Sequence, residues 1–345
     1  MQIFNQEVAA TTGRNLVPPG PRVPATDAIV EAEALRAAAY QAVEHISSLT
    51  KLPAVAHWGP STIDDDVNIL VVDRPGWIRA NAASLEVMLA PAFRRLSEQH
   101  EELIKNISSD VTARFSGAQV GALLAFLGTK VLGQFEPYAA RAAGGAAKPR
   151  LMLVAPNIMT IREELNLDAD DFRFWVALHE LTHVAQFAQA PWLADHILNT
   201  ATEFLLLNLL PDTASELSSD DKASQAKELE SQLTGVMSLL EGHANVIMDA
   251  VDRKLVPSVK TIRKRFDARS EQHTWFGQLI RKIIGLDAKA KQYKQGQSFV
   301  SKVVDQVGVE QFNTVWEHRD NLPTKDELTD ADAWITRVVN QQPVH

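Results

Sequence analysis

In WVALHELTHVAQF, residues 175–187, two histidines four residues apart stand in an otherwise apolar run, with a glutamate directly after the first. Only a helix makes use of that spacing. Positions i and i+4 lie one above the other on a helix, so His179 and His183 aim both imidazoles at one point. Glu180, one residue on, is rotated about 100°, where it reaches a water held at that point without ligating. The stretch therefore demands a buried helix and a second element that completes the coordination of an ion. Its limits are legible: Asp168 suits the N-cap, Asp170 and Asp171 suit the positive end of the helix dipole, and Pro191 stops the pattern.

The chain contains no cysteine, which excludes disulfides and thiolate sites and leaves His and carboxylate as possible zinc ligands. The metzincin continuation of the motif is absent, because Gln186 and Gln189 stand where its Gly and His would be. A gluzincin-type partner is present in SLLEGHANVIMDAVD, where Glu241 and His243 interrupt an apolar helix. Isolated polar groups in such a setting need a reason. Glu241 and Asn245 share a face at i, i+4, while His243 points about 200° from Glu241. In this reading Glu241 ligates and Asn245 accepts the ring N–H of a ligand histidine. His243 as third ligand is the alternative, and simple pairing of Glu241 and His243 with other helices is the bland one.

The 345 residues, 46% hydrophobic and 22% charged, suffice for one large or two medium domains with a real core. A net charge of −9 argues against a nucleic-acid or anionic-membrane binder. The first residues lack a basic region followed by an apolar run, and a soluble cytoplasmic protein is expected. Residues 1–26, rich in Pro and Gly, read as an extended arm, and 27–50 as an amphipathic helix. VNILVVD (67–73) reads as a strand followed by a helix from Trp77, and residues 92–109 as helical. GAQVGALLAFLGTKVLGQF (117–135) reads as a buried helix whose small residues admit a close neighbour. LMLVAPNI (151–158) reads as the best strand, and 192–210 and 223–255 as helices separated by an acidic loop. The expectation is a mainly α fold with a small β-sheet (α+β), divided into an N-terminal region, 1–110, and a metal-binding region, 111–345.

Beyond the motif, HELTHVAQF, EGHANVIMDAV, GLDAKAKQYKQGQSFV (285–300) and VWEHRDNLPTKDEL (315–328) resemble the zincin-like metallopeptidase family. Some of its members are associated with deazaflavin-coenzyme biosynthesis. The 117–135 segment is similar too, so the likeness covers roughly residues 110 to 340 and leaves the first hundred outside it. The resemblance implies a zincin-like core with helical additions, Zn2+ held by His179, His183 and Glu241, and Glu180 as the catalytic residue.

Such a site lowers the pKa of a water to about 7. Glu180 then takes a proton as general base and returns it to the leaving amine. A second electrophile would steady the oxyanion, with Tyr293, His243 and His273 as candidates. In zincins an edge strand docks extended substrate by main-chain hydrogen bonds, and 151–158 is placed to serve. The expected substrate is a peptide or small amide, with no nucleic acid or membrane as partner. From Arg253 to Lys302, 13 lysines and arginines against three acids give +10, suited to an acidic peptide, a carboxylate tail or a phosphorylated molecule. The bland reading of that run is a set of solvated helix faces. The competing functions are a helical scaffold with a structural metal and a zinc hydrolase of a non-peptide amide or ester.

Overall fold

The computed structural model describes residues 5–99, 117–142, 148–209, 218–270 and 291–340. Helices α1 (Gln6–Leu16), α2 (Ala25–Thr50) and the short α3 (Ile63–Asp66) precede strand β1 (Asn68–Val72) and the long α4 (Arg74–Gln99). Then come α5 (Gly117–Gly128), β2 (Gly133–Glu136), the short α6 (Ala139–Ala142), β3 (Arg150–Val154) and α7 (Ala155–Glu164). The remainder is helical: α8 (Ala169–Gln189), α9 (Leu193–Leu209), α10 (Ser219–Ala250), α11 (Val259–Ser270), α12 (Lys291–Phe312, broken at Gly308) and α13 (Ala331–Trp334). The expected α+β class with a small sheet is what the chain adopts. No helix among the described residues is long and apolar enough to cross a membrane.

The sheet has three strands in the order β1-β3-β2. β1 runs parallel to β3 with Ile69 opposite Leu151, and β2 runs antiparallel with Gly133 opposite Leu153. Side chains alternate across a strand, and β3 uses both faces. Leu151 and Leu153 join the core built with α2 and α8. Met152 and Val154 join a second core built with Trp77 and Ile78 of α4 and Leu124 of α5. Because β1 precedes residue 110 and pairs with β3, the sheet draws on both sides of the expected division.

Four expectations need correction. Residues 6–16 form a helix, because the Asn5 side chain caps the amides of Glu7 and Val8. This helix is the close neighbour that the small residues of α5 admit: a side chain at Gly121 would lie 2.4 Å from the Ala9 carbonyl oxygen. The 117–135 segment is a helix only to Gly128 and then turns into β2. The 151–158 strand ends at Val154, since Pro156 falls in the first turn of α7, where a missing N–H is harmless. Finally, β3 has neighbours on both sides. Its main-chain groups are spent on them, and it cannot dock substrate. β2 stands at the sheet edge, yet all four of its residues are buried.

Two contacts fix the helix that carries His179 and His183. At its start, Asp168 caps α8 by accepting from the amides of Asp170 and Asp171, as expected. One turn on, Arg173 and Arg162 converge on the buried Glu31 of α2, with Arg173 Nε 2.9 Å from Glu31 Oε1. Burial raises the Glu31 pKa, but the hydrogen bonds and charges of the two arginines outweigh it and hold it below the ordinary value. The carboxylate's stabilising effect is therefore complete above its unfolded pKa and is lost as pH falls through the lower folded value.

Removing one partner of a buried pair leaves the other charge uncompensated. Glu31→Ala is therefore expected to cost about 3 kcal/mol at neutral pH. Urea unfolding at pH 7 and pH 3 checks this, and the difference from wild type should shrink at the lower pH.

Candidate metal centre

His179 and His183 project from α8, and Glu241 from α10, which packs beside it. One ligand atom from each lies within 4.8 Å of the others. The Glu241 carboxylate oxygens stand 3.9 Å from His179 Nε2 and 3.8 Å from His183 Nε2. These separations are too long for hydrogen bonds. Two ligands sharing a tetrahedral zinc at 2.0–2.1 Å are about 3.4 Å apart, so a small inward movement would seat an ion. The donor set suits zinc: two imidazoles and a carboxylate, all facing one another.

Protonation favours the same use. Burial, then the charges of His183 and Arg263, pushes His179 down to about 3, so its ring is neutral at pH 7 and has a lone pair for an ion. Glu241 is raised by burial, against the opposing charge of His183. What fixes the His179 ring is stacking, one helical turn back, on Trp175 with centroids 6.2 Å apart and planes at 18°. Its Nδ1 has no hydrogen-bond partner.

His183 is held differently. Its Nδ1 lies 2.9 Å from Gln186 Oε1, so the ring N–H is donated there and Nε2 faces Glu241 as the lone-pair nitrogen. The Gln186 amide nitrogen in turn donates to the Leu240 carbonyl and to His243 Nδ1, both at 2.9 Å. This corrects two expectations. The ring N–H of His183 goes to Gln186, not Asn245, whose backbone carbonyl accepts from Arg263 instead. His243 is fully buried behind the site, stacked on Phe312 and edge-on to Trp316. There it is neither the third ligand nor an electrophile for a reacting carbonyl. Gln186 was visible in the sequence only as a break in a motif, and its spacing of three from His183 was the available signal.

Glu180 is buried on the sheet side of α8 beneath β2. The approach is close: a side chain at Gly133 would lie 2.5 Å from Glu180 Cγ. Glu180 Oε2 has no partner, and burial, then the charge of Glu241, raises its pKa well above the carboxylate range. A divalent cation would act oppositely on both carboxylates. The side chain of Tyr293, and all of His273, lie outside the described residues, as does much of the basic run, residues 271–290.

Because Gln186 sets the tautomer and aim of His183, Gln186→Leu is expected to weaken zinc binding roughly 10- to 100-fold. Glu241→Ala should weaken it further. His243→Phe should leave affinity nearer wild type, since its contacts are with Gln186 and the aromatic cluster. Calorimetric zinc titration of the three variants orders them.

The profile of the zincin-like metallopeptidase family matches residues 4–335. A crystal structure from Chloroflexus aurantiacus, described as a candidate hydrolase with a novel fold, has a TM-score of 0.69 and 27% identity, covering 99% of this chain and 100% of that one. No curated protein matches the sequence. The family match reaches into the first hundred residues, where no resemblance was evident, and takes in α1, α2 and β1 along with the two ligand helices. With His179, His183 and Glu241 gathered at one point inside the matched region, the chain belongs to the zincin-like metallopeptidase family.

Proposed function

We propose that this protein is a zinc-dependent hydrolase that cleaves amide bonds, a metallopeptidase acting on a peptide or small amide. The observation that carries the reading is Glu180. It is a buried carboxylate with an unpartnered oxygen, adjacent in sequence to one member of a His-His-Glu cluster. A purely structural metal site has no need of a base there, and an unpaired buried carboxylate costs stability.

His179, His183 and Glu241 would hold zinc. When bound, the ion supplies Lewis acidity toward a water and the scissile carbonyl. Glu180 Oε2 takes the proton of that water and returns it to the leaving amine. Gly133 leaves the space that Glu180 occupies against β2, so the strand and helix together limit its rotamers. Trp175 keeps the His179 ring in plane, and Gln186 keeps His183 from turning.

Glu180→Gln preserves shape but removes the proton acceptor. Zinc content and melting temperature should stay near wild type, while hydrolysis of a peptide and ester library falls roughly 10²-fold or more. 1,10-Phenanthroline should abolish wild-type turnover, and added zinc should restore it. Equal turnover in both proteins, or none in either with zinc fully bound, would favour a helical scaffold instead.

A further inference from the structure

The metal cluster is not closed on every side. Glu180 and Glu241 are nearly inaccessible, but the side chains of His179 and His183 retain 19% and 13% exposure. On α10, Glu241, Asn245 and Asp249 follow at i, i+4 and i+8, so they form one row along the helix. Arg263 of α11 crosses that row: its guanidinium pairs with Asp249 and donates to the Asn245 carbonyl at 3.4 Å. Three residues further along α11, Phe266 packs on Trp175 at 5.1 Å, and Trp175 stacks on His179. The helix is thereby clamped against both ligand helices, with a half-buried cation beside the cluster.

We propose that Arg263 is a specificity-determining residue that receives a substrate carboxylate two or three residues beyond the scissile amide. The inference rests on the metal-centre reading above. The spacing comes from the row itself. Asn245 and Asp249, the two residues the guanidinium contacts, are one and two helical turns from Glu241, about 6 and about 12 Å along the axis, and an extended peptide advances about 3.5 Å per residue. Arginine offers a planar fork suited to a carboxylate, and a partly desolvated one gives the stronger form of that contact. Asp249 holds the guanidinium beside the row, and 18% of the Arg263 side chain stays exposed to solvent. Lys260 and Lys264 lie on the same helix, whereas Arg265 donates to the Leu165 and Asn166 carbonyls.

Three malonyl monohydroxamates test this on the zinc-loaded full chain: one extended by glycine with a free carboxylate, one by glycinamide, and one by aspartic α-amide, with its carboxylate on the side chain. Calorimetry should find the glycine acid bound about 10-fold more tightly than the glycinamide. Arg263→Met should erase the difference, Arg263→Lys should keep part of it, and Asp249→Asn should keep or enlarge it. Preference for the aspartyl probe over the glycine acid would support the same cation but assign the carboxylate to a side chain. Equal binding of all three probes, or a preference that survives Arg263→Met, would overturn the proposal. A lower melting temperature in Arg263→Met with the preference intact would reduce the Asp249 pair to a helix staple and would also overturn it. Failure of every hydroxamate to bind zinc-loaded protein would instead remove the metal-centre reading, and this inference with it.

Discussion

The amide of Gln186 is the contact on which the geometry of the site depends. A carboxamide buried in an apolar core must satisfy its donors and acceptor inside the protein, because an unmade hydrogen bond there costs the full desolvation of the group. Gln186 does so by taking the N–H of His183 and giving its own hydrogens to the Leu240 carbonyl and His243. The same bonds set the separation of α8 and α10 and the tautomer of His183. Glu241 follows Leu240 directly, so a bond to that carbonyl fixes the Glu241 backbone as well. His243, unsuited to ligation, completes this network and transmits it to the aromatic cluster of Phe312 and Trp316.

Behind α10 the constraint is steric. A side chain at Gly242 would lie 2.7 Å from the Gly296 backbone, and one at Gly296 would lie 2.2 Å from the Ser238 carbonyl oxygen. The backbones of α10 and α12 therefore meet in contact, and α10 cannot back away from α8. Gly242 sits between Glu241 and His243, so three consecutive residues serve three neighbours: the metal cluster, α12 and Gln186. The sheet plays the matching part on the other side. β2 presses Gly133 onto Glu180, and Phe135 of the same strand packs on Phe187 of α8 at 5.2 Å. The helix with the motif is held between a strand and a helix, each placed by glycine.

The sequence by itself determined the local chemistry. The four-residue spacing of His179 and His183, the cap at Asp168 and the interruption of an apolar helix by Glu241 are short-range patterns, and helical periodicity turns them directly into faces and termini. The short apolar run of β3 and the small-residue face of α5 were legible as local patterns too. Only the tertiary structure decided which partners those faces meet. β3 reads identically as an edge or a central strand, because strand order is set by pairing with β1, 82 positions before it in register, and with β2. The Asn245 and His243 roles failed likewise. Helical phase gave the direction of each side chain, but not that Gln186, three residues along the same helix, takes the His183 ring N–H while bonding across to Leu240 and His243 of α10. Residues 6–16 looked like an arm because their helix, although capped locally by Asn5, is short and packs on α5, more than a hundred residues away.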